Sequence, residues 1–421
     1  MTYWLSNKRR LRFPWASIGR AIVAPVIACC VCVGFASKVY SLEDSLTSSA
    51  GTNAVLIQAE VVHIGDGTTL QPGMVLVGDG KIQAVAESIT PPADIRVLRV
   101  AELTPGFIDA ASSIGIAGGA GELTSEVTPD FVVADALNFQ DPDFRRQVDA
   151  GITTVHVTPN TDNVIAGFAG LLKTGGATPN WLQRETGLFL SMCNDPTGRN
   201  TSRSRPETLY VRQPTNRMGV VWILRSRLHS AQQATATPTT ESTTAAAQIM
   251  SDMVQGKVRT YAVSRTSYDI ETLYRIAKEF GVRPTLVGGD EAYKVLDVLK
   301  QEQAALIFTG FSTQAIGSEQ SQLRWNTPAL LANAKIPFAL AGDELLSQAR
   351  LAHRFGLERE TALAAITSEP AKILGHEGRV GKIAAGLDAD LVAFQGDPLQ
   401  VTSALEWVMV DGQIYSNGKD Q

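Results

Sequence analysis

Among the many carboxylates and the five histidines of this 421-residue chain, Asp109, His156 and Asp343 are the plausible set to hold a metal ion or move a proton, each lying in or at the end of a strand-like segment. A zinc site needs at least three protein ligands, and these are the set the sequence offers. Asp109 and Asp343 also form a candidate metal-free carboxylate pair, because two close carboxylates push one pKa upward and so divide acid from base. Asp343 is the candidate catalytic residue. The structural alternatives are that Asp109 caps local backbone and that Asp343 is a remnant without chemistry. His156 lies in TTVHVTP, a strand on which Thr154, His156 and Thr158 share one face. On a lumen face it reaches a bound molecule; otherwise it is a satisfied core histidine. His63, His229, His353 and His376 read as surface or packing residues. Cys193, with no histidine near it in sequence, reads as buried packing.

The elements that position these groups follow from periodicity. Residues 268–280 place Ile270, Leu273, Tyr274, Ala277 and Phe280 at helical spacing, stop at Gly281 and give way to the strand-like Pro284-Thr285-Leu286-Val287. The alternation of strand, loop and helix continues to Asp343 over roughly 270 residues, which predicts an α/β fold of the (β/α)8 TIM-barrel type. Short alternating segments with Asp-Gly turns occupy both flanks of this region, at Asp66-Gly67 and Asp79-Gly80 and again at Asp411-Gly412. Neither flank buries a core alone, so residues 54–103 and 377–419 are expected to pair into one small β-sandwich domain, with residues 104–376 as the barrel. Residues 230–248, rich in Ala and Thr with almost no large apolar side chain, are expected to form a surface loop.

Hydrophobic content of 44% and a net charge of −5 give a well-filled core and no dense basic face, which argues against nucleic acid as a partner. Lys8, Arg9, Arg10, Arg12 and Arg20 precede an apolar run from Ala21 to Ala36. That run is about 16 residues against the roughly 20 of a membrane-spanning helix. Residues 1–36 are therefore expected to be a signal peptide and residues 37–53 a linker, with an exported, periplasmic protein as the product. Arg9-Arg10 leaves a twin-arginine export signal open, and Cys29 leaves lipidation open. Membrane attachment is expected only through an uncleaved or lipidated N-terminus. Cys29, Cys30 and Cys32 would leave with the signal, so Cys193 has no disulfide partner in the mature chain.

Three segments resemble the amidohydrolase superfamily, in particular its exported imidazolonepropionase-like members. They are PGFIDA at Pro105–Ala110, DAGITTVHVTPNTDNVIAGFAGLLKTGG at Asp149–Gly176, and TALAAITSEPAKILGHEGRVGKIAAGLDADLVAFQGDPL at Thr361–Leu399. The resemblance implies a metal-dependent hydrolase barrel whose divalent ion lowers the pKa of bound water, so that hydroxide attacks an amide carbon at neutral pH. It also implies a ligand set: a His-x-His pair, often a bridging carboxylated lysine, two further histidines and an aspartate. Carried over place by place, the pair falls on Ala110 and Ser112, the lysine on Phe189, one histidine near Ala262 or Ser264 and the other on Gly288. Only Asp343 keeps the implied residue type. Asn163, Gly167 and Lys173 match the loop after the second strand in such members, making Asn163 and Lys173 candidates for ligand binding beside Asp109 and His156.

Two functions from different classes stay open on this reading. One is a barrel that has lost its metal site, needs no cofactor and binds a small molecule or an envelope protein. The other is an active hydrolase of C–N bonds that uses zinc or another divalent metal at a rearranged site. A purely structural envelope protein is expected only if side chains fill the barrel mouth.

Overall fold

The chain passes from one sheet to another at Pro105-Gly106. A computed structural model describes residues 54–91, 95–116, 121–122, 124–200, 213–236, 244–311 and 322–416, so the expected signal peptide and linker lie outside the described residues. The first sheet is built from both flanks: β1 (Val55–His63), β2 (Thr69–Leu70), β3 (Gly73–Gly78), β4 (Lys81–Ala86), β5 (Arg96–Pro105), and, after the barrel, β14 (Leu391–Phe394), β15 (Leu405–Val410) and β16 (Gln413–Ser416). Its order is β16-β15-β14-β5-β1-β3-β4, with β2 on β1. The two flanks meet where β14 pairs antiparallel with β5. Ile57, Val75, Leu103, Leu391 and Met409, alternating with outward residues as period two requires, form the core of this small β domain.

Gly106 is required at the crossing because a Cβ there would lie 2.2 Å from the Thr153 hydroxyl oxygen. Beyond it the barrel sheet runs β6 (Phe107–Ser112), β7 (Ile152–Val157), β8 (Ile165–Lys173), β9 (Trp181–Ser191), β10 (Thr260–Ser264), β11 (Pro284–Gly288), β12 (Leu306–Phe308) and β13 (Phe338–Leu340), neighbours in chain order. The described helices outside it are α1 (Pro142–Asp149), α2 (Arg217–Ala236), α3 (Ala245–Val254), α4 (Ser267–Phe280), α5 (Leu296–Gln301), α6 (Thr327–Asn333), α7 (Leu345–Arg354), α8 (Arg359–Ala364) and α9 (Ser368–Leu374).

The predicted TIM-type barrel is present, nearly closed, with two departures from expectation. Strand β8 runs antiparallel to both β7 and β9. Residues 158–164 and 174–180 are too few for a helical crossover, which takes a dozen residues or more, so the chain turns back instead. Residues 230–248 are not a continuous surface loop: α2 extends to Ala236 and α3 begins at Ala245, capped by the Thr244 hydroxyl accepting from the Ala247 N–H. Residues 237–243 lie outside the described residues. Alanine supplies helix propensity without a large apolar side chain, and Met250 and Met253 bury the second helix.

Candidate functional site

Apolar side chains fill the barrel interior. Ile108, Ala110, Phe189, Tyr261, Val263, Val287, Ile307 and Ala339 pack into one buried cluster, the layered filling of a barrel lumen. Above it, at the C-terminal ends of the strands, lies a cleft of about 1010 Å³. Phe189, Val263 and Val287 form its floor, Ser112, Thr158 and Thr309 its polar wall, and Asp109, Asp141, Asp143, Arg146, Arg265, Asp343 and Glu344 bring charge to it.

The places assigned to metal ligands are kept on β6 and displaced by one residue on β10 and β11. On β6 Ile108 and Ala110 face the lumen, and beyond an irregularity in pairing Ser112 lines the cleft with Ala111 and Ser113. On β10 the inward residues are Tyr261 and Val263, followed by Arg265 at the mouth, while Ala262 packs outward. On β11 Val287, not Gly288, faces the cleft. The correction leaves the chemistry as before, since Ala, Ser and Val have no better metal-binding capacity than the residues first assigned.

Asp109 is buried where the barrel closes. Its Oδ1 accepts from the N–H of Ala111 at 3.1 Å and from that of Gly342, just after β13, at 2.9 Å, so the carboxyl joins the first strand to the last. Burial raises its pKa to about 6 against these two N–H donors, and Asp343 adds like-charge repulsion. Because the folded pKa exceeds the unfolded one, Asp109 weakens the fold above pH about 6 and less so as pH falls toward 4. Asp109→Asn keeps the acceptor and removes the charge. It is expected to raise stability by about 2 kcal/mol at pH 8 and by little at pH 4.5 in paired urea unfolding curves; a gain independent of pH would contradict this assignment.

His156 faces the lumen but is fully buried, beneath the cleft and not on its wall. Its Nδ1 donates to the Ala110 carbonyl at 2.9 Å, which leaves Nε2 to accept from the Thr186 hydroxyl at 2.7 Å. Burial lowers its pKa to about 4, so the ring is neutral, and with both nitrogens engaged it has no lone pair for a metal. It packs against Tyr261 at 5.2 Å and Phe189 at 5.8 Å between ring centroids.

Asn163 and Lys173 are not at the mouth. Asn163 is buried and donates to the Thr128 hydroxyl at 3.1 Å, anchoring the segment ahead of β8. Lys173 ends β8 at the opposite end of the barrel, fully buried, with Asp388 at 3.0 Å, Asp411 at 3.1 Å and Asp390 in close contact. Desolvation works against its charge, but the three carboxylates outweigh it and hold its pKa above the ordinary value. It ties barrel to β domain. Asp343, half-buried, does line the cleft. Asp109, His156 and Asp343 therefore do not converge as a ligand set, and among the described residues no three of His, Cys, Asp and Glu do so. Cys193 is buried, its thiol pKa pushed up to about 12 by desolvation, which leaves it inert.

The residue that sequence reasoning missed is Arg265. Its guanidinium grips Asp195 in a two-pronged pair at 2.8 and 2.7 Å, and the Thr161 hydroxyl holds the same carboxylate. The pair fixes a cation at the cleft wall. Period two along YAVSR, started from Tyr261 instead of Ala262, would have pointed to it.

The barrel with its two-flank β domain matches an amidohydrolase structure from Thermotoga maritima MSB8 with a TM-score of 0.77 and 28% identity, over 86% of this chain and 100% of that one. The amidohydrolase family pattern matches residues 339–415. This chain belongs to the amidohydrolase superfamily. A. niger ochratoxinase shares the fold at a TM-score of 0.51 and 14% identity, over 87% of this chain and 96% of that one. The amidohydrolase tasK of Hapsidospora irregularis is 41% identical over 73 residues, a stretch that is 17% of this chain and only 7% of that protein.

The metal of the amidohydrolase superfamily does not fit the donor set at this mouth. The carboxylates of its lining, Asp109, Asp141, Asp143, Asp343 and Glu344, do not gather in threes among the described residues, and the floor is the apolar Phe189, Val263 and Val287. Asp109 already spends one oxygen on two N–H donors. Among the described residues no histidine lines the cleft, and apolar side chains cannot replace the hydration a divalent cation gives up.

Proposed function

We propose that this chain is a superfamily barrel that has given up hydrolysis and binds a small molecule at the strand-end cleft, as an exported protein of the cell envelope descended from imidazolonepropionase-like members. The observation that carries this reading is the floor of the cleft. Where hydrolysis needs ligands pointing inward, Phe189, Val263 and Val287 close the lumen. Such a floor under a polar wall has the usual make-up of a small-molecule site, apolar area with a few placed polar groups. Arg265, oriented by Asp195, then supplies a fixed cation to orient a ligand among the carboxylates of the lining, Asp343 included.

A second reading rests on one observation: Asp109, with a pKa of about 6, lies near enough to Asp343 for their charges to interact. This is a carboxylate pair of the kind that performs acid/base chemistry, and it supports a rearranged C–N hydrolase. Without a metal or a second charge stabiliser for the oxyanion, such a pair leaves most of the barrier to amide hydrolysis in place. Assays against a panel of amides and lactams distinguish the two. Wild type and Asp343→Asn are expected to give the same rate, that of solvent alone. A wild-type rate well above background that falls 100-fold or more on this substitution, roughly the size of a general-base contribution, would establish the hydrolase instead.

A further inference from the structure

The α2 helix is apolar on two faces. Val220, Ile223, Leu224 and Leu228 are buried toward the barrel, which is the face a surface helix must cover. The other side carries Met218, Trp222 and Arg225, spaced i, i+4 and i+7, with the half-buried Val221 at its edge against the core. Met218 is 77% exposed and Trp222 63%, and Tyr268 at the start of α4 is 51% exposed beside them. Together they line a groove of about 700 Å³ between α2 and α4. Scattered single apolar residues on a surface need no explanation, but a grouped set of this size does.

The charges around the groove indicate what covers it. Arg225 pairs with Glu279 at 2.7 Å, and Arg217 pairs with Asp269 at 3.1 Å while lying over the Tyr268 ring at 5.0 Å. Arg275, one turn before Glu279, lines the same groove. The rim thus carries both signs within one patch. A polyanionic surface would meet Glu279 unfavourably, whereas a copy of the same patch, turned about a two-fold axis, sets each sign against its opposite. In an isologous contact residue i meets j and j meets i, so Arg225 and Glu279 can exchange partners between copies. A helix stripe of this spacing is also the surface that packs against another helix.

We propose that the outward stripe of α2, with the groove beside α4, is the interface through which two copies of this chain associate. The proposal is independent of what the barrel mouth binds. Light scattering coupled to size separation, run on the full chain from low to high micromolar concentration, is expected to report a dimer. Trp222→Glu is expected to give monomers that melt where wild type diluted to its monomer melts, since the residue is exposed and only the association is lost. Arg225→Glu and Glu279→Arg are each expected to weaken the dimer, and an equimolar mixture of the two to restore it as a mixed pair, a result no folding defect produces. A wild-type monomer across the range, dimers that survive Trp222→Glu, or a mixture no more dimeric than its components would each overturn the proposal. A monomer that instead binds anionic phospholipid vesicles through Trp222 would overturn it in favour of a membrane surface.

Discussion

Lys173→Met is expected to destabilise the fold by about 3–5 kcal/mol, the cost of removing one member of a buried ion cluster and leaving its partners charged. Lys173 is wholly buried, and Asp388 and Asp390, whose carboxylates it contacts, are nearly so. Lys81 and Arg379 also reach Asp388, so that carboxylate keeps partners; Asp390 retains only an N–H from Asp411 at 2.9 Å. Asp390 is already pushed upward in pKa by burial, with Lys173 opposing that shift, and losing the lysine removes the opposition. The double variant Lys173→Met with Asp390→Asn should therefore recover part of the loss. Urea unfolding of the two variants beside wild type provides the measurement. A loss below about 1 kcal/mol for Lys173→Met would place the residue at a solvated site, where ion pairs contribute that little.

Phe189→Ala is expected to cost a comparable amount, about 3–5 kcal/mol. Phe189 is 2% exposed, stacks on Tyr261 with centroids 5.0 Å apart and forms the centre of the cleft floor. Removing the ring opens a hole between cleft and lumen that Ile108 and Val263, on their own rigid strands, cannot fill. Phe189→Leu, which keeps most of the volume, should cost under about 1.5 kcal/mol. Equal stability of the alanine variant and wild type in urea would mean that the lumen is open, and with it the argument from the floor would fall.

Much of the fold was legible because local chemistry dictates it. Pro105-Gly106 announces a break that the close approach of Thr153 makes obligatory, and the Asp-Gly turns mark hairpins of a sheet whose two halves cannot bury a core separately. The reversed strand β8 was less visible: VIAGFAGLLK reads as buried strand in either direction, and only the short links on both sides fix its sense. The Ala/Thr-rich segment misled because a lack of large apolar side chains says little about helix formation when alanine and a threonine cap are present.

The site was legible in outline and not in register. Period-two counting holds on β6, where Ala110 and Ser112 keep their assigned sides, but on β10 and β11 the inward residues are Val263 and Val287, one place from those first assigned. Lys173 seemed available for an anionic ligand because its partners, Asp388, Asp390 and Asp411, lie more than two hundred positions away, and no local pattern brings them near. His156 shows the same limit: its strand face was readable, but whether its nitrogens were already taken depended on Ala110 from the adjacent strand and Thr186 from β9, two strands away.

The proposal that this barrel mouth works without a metal rests on the apolar side chains at its inward places. The most direct test is elemental analysis of the full chain, purified without chelator and dialysed against buffered zinc, in parallel with an amidase assay. Well under one metal per chain and no amidase rate above solvent is the predicted result. About one zinc per chain, with activity that leaves when the zinc is removed and returns when it is restored, would contradict the claim.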